Sequence, residues 1–444
     1  MTHIAIIGNG ISGVTAARHI RKRDSQCRIT LISAETDHLF SRTALMYNYM
    51  GHMKFENTKP FEDHFWPKNR IDLKRAYVEK VDFANKTLHF DNDAPMAYDV
   101  LVLACGSKPN KFGWPGQDLP GVQGLYSYQD LETLEENSPG AKRAVIVGGG
   151  LIGVEFAEMM LTRDIKVSFL VRENRFWGNV LPPEDGDMIM RHMREHHVDL
   201  RLNTELKEVI AGDDGRARAV LTSTGEEIPC QIVGLTAGVS PNIAFLKESD
   251  LETQRGIMVN EFLETNIPDV YAIGDCAQFH QHPTGRRPME QVWYTGRMMG
   301  ETVGATITGK KTAYKPGVWF NSAKFFDIEY QTYGDVPGKA KEGQQSFWWE
   351  HPEGRIGVKL VFDETTHRFV GVNTFGIRMR HVVFDKWFHE ERSVEYVLEY
   401  LPDANFDPEF YRKHEKSICD KFNKEFNTNI KPRKARWKRI LNIA

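Results

Sequence analysis

The chain alternates short apolar runs with glycine turns and amphipathic stretches. His3-Ile4-Ala5-Ile6-Ile7 is an apolar run that reads as a buried strand, Val14 to Arg23 reads as a helix, and Arg28 to Ser33 as a second strand. The same succession returns later: strand Ala144-Val145-Ile146-Val147, helix Val154 to Arg163, strand Lys166 to Val171. Arg201 to Ile210 and Ala217 to Thr222 read as strands joined by an Asp213-Asp214-Gly215 turn. Val270 to Ile273, entered at Pro268, reads as a short buried strand. From Val318 the texture becomes aromatic: Trp319-Phe320, Phe325 to Tyr333, Ser346 to Glu350, Ile356 to Phe362 and Phe369 to Phe375 read as antiparallel strands. Asp407 to Asn427 reads as a longer helix, with Tyr411, His414, Ile418, Phe422 and Phe426 on one face, a stripe suited to core or subunit contact.

The turns carry the chemistry. Gly8-Asn9-Gly10-Ile11-Ser12-Gly13 joins the first strand to the first helix, and Gly148-Gly149-Gly150-Leu151-Ile152-Gly153 does so in the second copy. Glycines there allow a tight turn and close backbone approach, and the helix N-terminus offers unpaired N–H groups to a pyrophosphate. One such loop is a weak signal; two between strand and helix imply two dinucleotides, or one and a degenerate copy. Near the end of the second strand, Glu35 can take adenosine ribose hydroxyls, although Ser33 holds the usual position. At the matching point of the second unit, Arg172 favours a 2′-phosphate and hence NADPH, with Arg175 a second clamp, while Glu173 keeps NADH open. Glu155 is either a favourable charge in a helix's first turn or a group at the nucleotide. Gly274 turns the chain after Ile273, leaving Asp275 at the carboxyl end of its strand, where a carboxylate can accept from a hydroxyl chain.

Composition narrows the class. A chain of 444 residues suggests two to four domains, and 41% apolar residues suffice for a real core. A net charge of -3 argues against nucleic-acid binding by the whole chain. No apolar run is long enough to span a bilayer, and a first strand at His3 leaves no signal peptide. Five scattered cysteines without Cys-x-x-Cys or metal spacing suit a cytoplasmic, reduced-thiol protein.

Thr265-Asn266-Ile267-Pro268-Asp269-Val270-Tyr271-Ala272-Ile273-Gly274-Asp275-Cys276 resembles the second flavin fingerprint of two-dinucleotide flavoprotein reductases, in which the aspartate holds the ribityl chain of FAD. Ala97 to Pro109, with Ala104-Cys105-Gly106, looks like the crossover that usually reads Ala-Thr-Gly. Trp114-Pro115-Gly116 follows, and Gly238-Val239-Ser240-Pro241-Asn242 resembles the return crossing. Over roughly residues 1 to 315 the chain resembles the pyridine-nucleotide-dependent FAD reductases, in their ferredoxin-reductase-like and nitrite-reductase-flavoprotein-like branch.

The resemblance implies an α/β fold with two doubly wound, three-layer Rossmann-like domains and a C-terminal α+β interface domain, which often supports a homodimer. Residues 1–118 and 248–317 would bind FAD, 119–247 would bind NAD(P)H, and 318–444 would form the interface domain. For FAD it implies Gly8, Gly10, Ser12, Gly13, Glu35 and Arg42 from the first stretch, Ala104 and Gly106 from the crossover, Gly274 and Asp275 from the fingerprint, and Glu290, Gln291 and Val292 before a helix starting near Thr295. For NAD(P)H it implies Gly148, Gly150, Leu151, Ile152, Gly153, Glu155, Arg172 and Gly238. Trp293 would stack near the flavin or be an ordinary packed indole.

One departure shapes the expected chemistry. His38 to Tyr47 lacks the cysteines that many relatives carry, which argues against disulfide reductase chemistry. Ser41-Arg42 resembles a Tyr-x-Arg-Pro segment whose arginine lies near FAD, with Tyr47 in place of a lysine. Cys105 and Cys276 stand where small residues usually do. The resemblance thus implies hydride transfer from NADPH or NADH to FAD, then electrons to a ferredoxin- or rubredoxin-like carrier. A quinone reductase, an NAD(P)H oxidase or a slow-turnover redox sensor are the alternatives. The basic tail from Lys431 to Arg439 suits either a solvated terminus or a docking site for an acidic carrier or anionic lipid.

Overall fold

The first apolar runs build a parallel sheet in the computed structural model, which describes residues 1–406 and 412–433. Its strand order is Val270–Ala272, Val100–Leu103, His3–Ile7, Arg28–Ser33, Ile71–Arg75, all parallel. The central strands are apolar on both faces, as a sheet covered on both sides requires. This sheet belongs to a unit comprising Met1–Ala141, Gly212–Ala217 and Gln231–Pro316.

Two helices of this unit pack unusually closely. Ile11–Arg23 lies against Trp293–Ile307 along Gly296, Gly300 and Gly304, one helical turn apart. A Cβ on Gly300 would stand 2.5 Å from the Ser12 carbonyl oxygen, and one on Gly304 would stand 2.7 Å from His19 Cβ. Side chains larger than hydrogen would push the helices apart, so this stripe sets where the start of Trp293–Ile307 falls relative to the first glycine loop.

The second unit comprises Lys142–Ala211, Arg218–Cys230 and Gly317–Ala444. Arg143–Val147, Lys166–Leu170 and Asp199–Arg201 run parallel, with helix Leu151–Leu161 following the second glycine loop. The aromatic region forms an antiparallel sheet in the order Phe320–Phe325, Ile328–Gly334, Phe369–Phe375, Gly357–Asp363, Gln344–Glu350. Helices His381–His389, Val394–Ala404 and Glu415–Phe426 share a core with that sheet.

Three expected elements differ. The strand read from Arg201 to Ile210 is two: Asn203 at φ +52° ends Asp199–Arg201, and Leu206–Ala211 joins another sheet. Phe325 to Tyr333 is not one strand, because Phe326 at φ +55° turns the chain into a hairpin with Phe325 opposite Ile328. The helix expected from Asp407 runs over Glu415–Phe426, where Ile418 and Phe422 are buried and Phe422 and Phe426 pack on Phe347 and Phe362. Residues 407–411, and with them Tyr411, lie outside the described residues, as does the basic tail beyond Arg433. Arg433 itself donates to Glu399 at 2.6 Å. No helix among the described residues is long and apolar enough to cross a membrane.

Candidate functional site

The first glycine loop is fixed by sterics on two sides and open on the third. A Cβ on Gly8, at φ +113°, would lie 2.0 Å from the Ala104 carbonyl oxygen, and one on Gly13 would lie 2.0 Å from the Gly8 carbonyl oxygen. A Cβ on Gly10 meets nothing within 4 Å, so the loop turns an open face outward at the helix start. The helix Ile11–Arg23 has Gly10 as its N-cap with no side-chain cap bond, leaving its first N–H groups available to an anion. Buried Asn9 pins the loop, its side-chain amide donating to the Thr36 carbonyl at 2.8 Å.

Beyond the second strand, Arg42 and Glu35 form a bidentate pair, with Nη1 to Oε1 at 2.8 Å and Nη2 to Oε2 at 2.7 Å. Glu35 Oε1 also accepts from the Tyr128 N–H at 2.9 Å, and Arg42 stacks over the Tyr126 ring at 4.5 Å. Burial opposes the Arg42 charge, but hydrogen bonding and attraction to Glu35 outweigh it and hold the guanidinium above its ordinary pKa. A cavity of about 240 Å³ beside this pair is lined by Glu35, Thr36, Phe55, Arg75, Tyr128 and Gln129 among others.

Asp275 stands after Gly274, itself at φ +74° with Ser12 Oγ 2.4 Å from where a Cβ would sit. The carboxylate is half-buried and accepts the Tyr126 hydroxyl at Oδ2, 3.2 Å away. Desolvation pushes its pKa up, while Tyr126, Ser107 and the Arg42 charge pull the other way. A half-buried carboxylate suits a polyhydroxyl ligand, and the glycine loop beside it suits a pyrophosphate, so these residues fit FAD.

Crossover segments Ser107–Pro109 and Val239–Pro241 pair antiparallel, and the Asn110 N–H donates to the Gly238 carbonyl at 3.1 Å, with Gly238 at φ +85°. Ala104 and Gly106 flank this start, and Gly106 accepts from Asn242 N–H at 2.9 Å. Gln291 donates to Ser107 Oγ at 2.8 Å, so the segment before Trp293–Ile307 is tied to the crossover. Glu290 is buried and engaged elsewhere, receiving Arg286 Nε at 2.7 Å and Thr295 Oγ1 at 3.3 Å. Val292 is the N-cap of the helix, and Trp293 opens it two residues earlier than the expected Thr295 and is 42% exposed. Cys276 is buried, its thiol against the Leu103 and Ile273 carbonyls at 3.4 Å, and a hydrogen bond with Cys276 together with burial pushes the Cys105 thiol up.

The second loop repeats the first in its own unit. Gly148 takes φ +121°, its N–H donating to Leu170 at 3.1 Å, and a Cβ on Gly150 meets nothing within 4 Å. Leu151 and Ile152 open the helix, with Gly153 buried behind them. Glu155 is half-buried one turn in; burial and the neighbouring Glu158 raise its pKa to about 7 against the pull of Lys324. Glu158 Oε1 itself takes Lys324 Nζ at 2.7 Å. Arg172 is exposed and paired with Glu173 at 2.9 Å, while Arg175 faces Asp187 at 3.7 Å. Gly238, assigned to the nucleotide from sequence, lies in the first unit.

Tyr126 escaped the sequence reading. Its hydroxyl accepts from the Ser107 N–H at 3.1 Å while donating to Asp275, and its own N–H donates to Asp130. Nothing in its neighbourhood of the sequence marks it.

Comparison with known proteins agrees with this arrangement. The chain is 26% identical over 385 residues to the ferredoxin–NAD(+) reductase component of the biphenyl dioxygenase system of Paraburkholderia xenovorans (strain LB400), covering 85% of this chain and 93% of that protein. It is 30% identical over 286 residues to the rubredoxin-NAD(+) reductase of Acinetobacter baylyi (strain ATCC 33305 / BD413 / ADP1), covering 63% of this chain and 72% of that one. In fold it is similar to the ferredoxin reductase for the CYP199A2 system from Rhodopseudomonas palustris, with TM-score 0.78 at 23% identity over 92% of this chain and 96% of that one. Residues 2–300 match the pyridine nucleotide-disulphide oxidoreductase family. With two glycine-loop units and a fingerprint aspartate in place, the chain belongs to that family, whose members use FAD with a pyridine nucleotide.

Proposed function

We propose that this protein takes a hydride from NADH or NADPH onto FAD and passes the electrons singly to a small ferredoxin- or rubredoxin-like carrier. The observation that carries the reading is the placement of Asp275, Tyr126 and the open Gly10 loop around one helix start, with a second open loop at Gly150. FAD, when bound, supplies the two-electron to one-electron chemistry. The chain's part is to bind and orient it. Free N–H groups after Gly10 hold the pyrophosphate, and Asp275 accepts from the ribityl hydroxyls. The uncapped N-terminus of Trp293–Ile307 favours negative charge on the bound group.

The same reading assigns residues 1–118 and 248–317 to FAD, 119–247 to the nicotinamide nucleotide, with Tyr126 near its start reaching Asp275 of the FAD site, and 318–444 to an interface domain that also serves a homodimer. Five free thiols fit a cytoplasmic setting. The ferredoxin and rubredoxin reductases among the relatives support a protein carrier, and an NADH oxidase among them makes oxygen the main competing acceptor. Steady-state reduction of a ferredoxin, a rubredoxin, a soluble quinone and oxygen, compared under one nucleotide, tests this. A protein carrier should be reduced fastest, and a dominant quinone or oxygen rate would replace the reading.

A further inference from the structure

The helix Pro183–Glu195 carries His192 and Glu195 in its last turn and His196 as its C-cap, and a hairpin tip meets it there. His192 and His196 are one turn apart, so their imidazoles share a face, 4.6 Å between ring centroids. Asp327, on the tip between Phe320–Phe325 and Ile328–Gly334, places Oδ1 2.5 Å from His192 Nε2 and 3.2 Å from His196 Nε2. Two ring nitrogens thus converge on one carboxylate oxygen.

Proton placement makes this arrangement awkward without a cation. The His192 side chain is 1% exposed, and its Nδ1 has no hydrogen-bond partner, with Glu195 Oε2 3.5 Å away. If the neutral ring carries its proton on Nε2, a buried Nδ1 lone pair faces no donor. If the proton sits on Nδ1, toward Glu195, the Nε2 lone pair faces an Asp327 oxygen lone pair. A divalent ion among Nε2, Nε2 and Oδ1 resolves the second case, with Glu195 orienting the ring from outside. Doubly protonating His192 also resolves it, at the cost of a buried charge.

The surroundings suit an ion. Arg355 Nη1 holds the other Asp327 oxygen at 3.3 Å and Nη2 lies 3.9 Å from Glu195, which leaves Oδ1 for the histidines. Two carboxylates against one guanidinium leave the cluster a net negative charge, and the helix C-terminus adds partial negative charge. His196 and Asp327 are partly exposed, which leaves room for a water as fourth ligand. Phe326 is held at φ +55° and stacks on His196 at 4.4 Å, so the tip conformation is enforced toward the helix. Ligands about 2.0 Å from a tetrahedral ion stand roughly 3.3 Å from each other. The His196 contact already fits, and the His192 contact must open by roughly 0.8 Å on that geometry.

We propose that His192, His196 and Asp327 form a three-ligand Zn²⁺ site that fastens the hairpin tip to the helix end, apart from the dinucleotide chemistry. Two imidazoles and one carboxylate are a donor set zinc accepts, with water completing four-coordination.

The test uses tag-free, flavin-loaded protein treated with chelator and dialysed, then titrated with ZnCl₂ by calorimetry, with Co²⁺ as a spectroscopic substitute. One equivalent should bind, raise the melting temperature and give the visible bands of tetrahedral cobalt. Asp327→Asn and His196→Ala should each lose that stoichiometric binding while keeping the flavin spectrum, and Glu195→Gln should weaken it by about tenfold. Because His192 is buried, His192→Ala can fail to fold, so the two exposed ligands carry the test. No stoichiometric binding, or binding unchanged in Asp327→Asn, means an adventitious ion only and overturns the proposal.

Discussion

Tyr126 donates its hydroxyl hydrogen to Asp275 Oδ2 at 3.2 Å, joining residues 149 positions apart in the sequence. The same hydroxyl accepts from the Ser107 N–H, so one side chain positions both the fingerprint carboxylate and the crossover. Tyr126→Phe should cost roughly 1 kcal/mol at this site, about a fivefold loss of FAD affinity, measured by rebinding FAD to the apoprotein. Unchanged affinity would show that Tyr126 does not orient Asp275 for the ligand.

Asp275 also predicts opposite effects on stability and binding. Its pKa is raised by burial, so its contribution to apoprotein stability is full below its unfolded pKa and is lost as pH rises through the folded value. Asp275→Asn should therefore melt higher than the wild-type apoprotein at neutral pH, with the advantage shrinking toward acid, while binding FAD more weakly. A variant that melts lower at neutral pH would contradict this assignment.

Glu155 should titrate near neutrality, its pKa raised to about 7 by burial and by Glu158. The sign is the same: the stability it contributes is present below about 4.5 and lost as pH rises through about 7. Urea denaturation at acid and alkaline pH should show Glu155→Gln gaining on wild type as pH rises. If the group also meets the nucleotide, the pH break near neutrality in flavin reduction should vanish in the same variant.

Arg172 is held by Glu173 on an exposed surface, where such a pair contributes little to stability. Releasing it should change specificity rather than folding. Glu173→Ala should raise kcat/KM for NADPH relative to NADH, and Arg172→Ala should lower that ratio. Ratios that stay fixed in both variants would place the selecting residue elsewhere.

The glycine loops and Asp275 were legible because they depend on local backbone geometry, written in contiguous residues. Glu35 and Arg42 were legible as individual candidates, but their bidentate pairing was not, because nothing in the spacing shows that Arg42 turns back. Tyr126 and the His192, His196 and Asp327 cluster were invisible for the same reason. Their partners are brought in by tertiary packing, 135 positions away for His192 and Asp327. Both misread strands trace to a non-glycine residue at positive φ: Asn203 splits one expected strand, and Phe326 turns another into a hairpin. An aromatic at a turn carries none of the usual turn signals.

The close helix pair yields a packing prediction. A Cβ on Gly300 would press on the Ser12 carbonyl at 2.5 Å and Thr15 Cβ at 2.9 Å. Overpacking there should cost about 2 kcal/mol, lowering the melting temperature by roughly 4–8 °C. Since Ser12 adjoins Gly274, Gly300→Ala should also loosen FAD, seen as faster flavin release. Gly309, where a Cβ meets nothing, lies at φ +89° and is no control; Gly10, at ordinary φ and open, should tolerate alanine for folding but not for FAD.

The most direct measurement is anaerobic stopped-flow mixing of the purified yellow protein with NADH or NADPH, following flavin absorbance. If Asp275 and the Gly10 loop hold FAD, the isolated protein carries it, at least one nucleotide bleaches it rapidly, and Asp275→Ala loses it. A protein that neither carries nor rebinds FAD, or whose bound FAD neither nucleotide reduces, would contradict the proposed function.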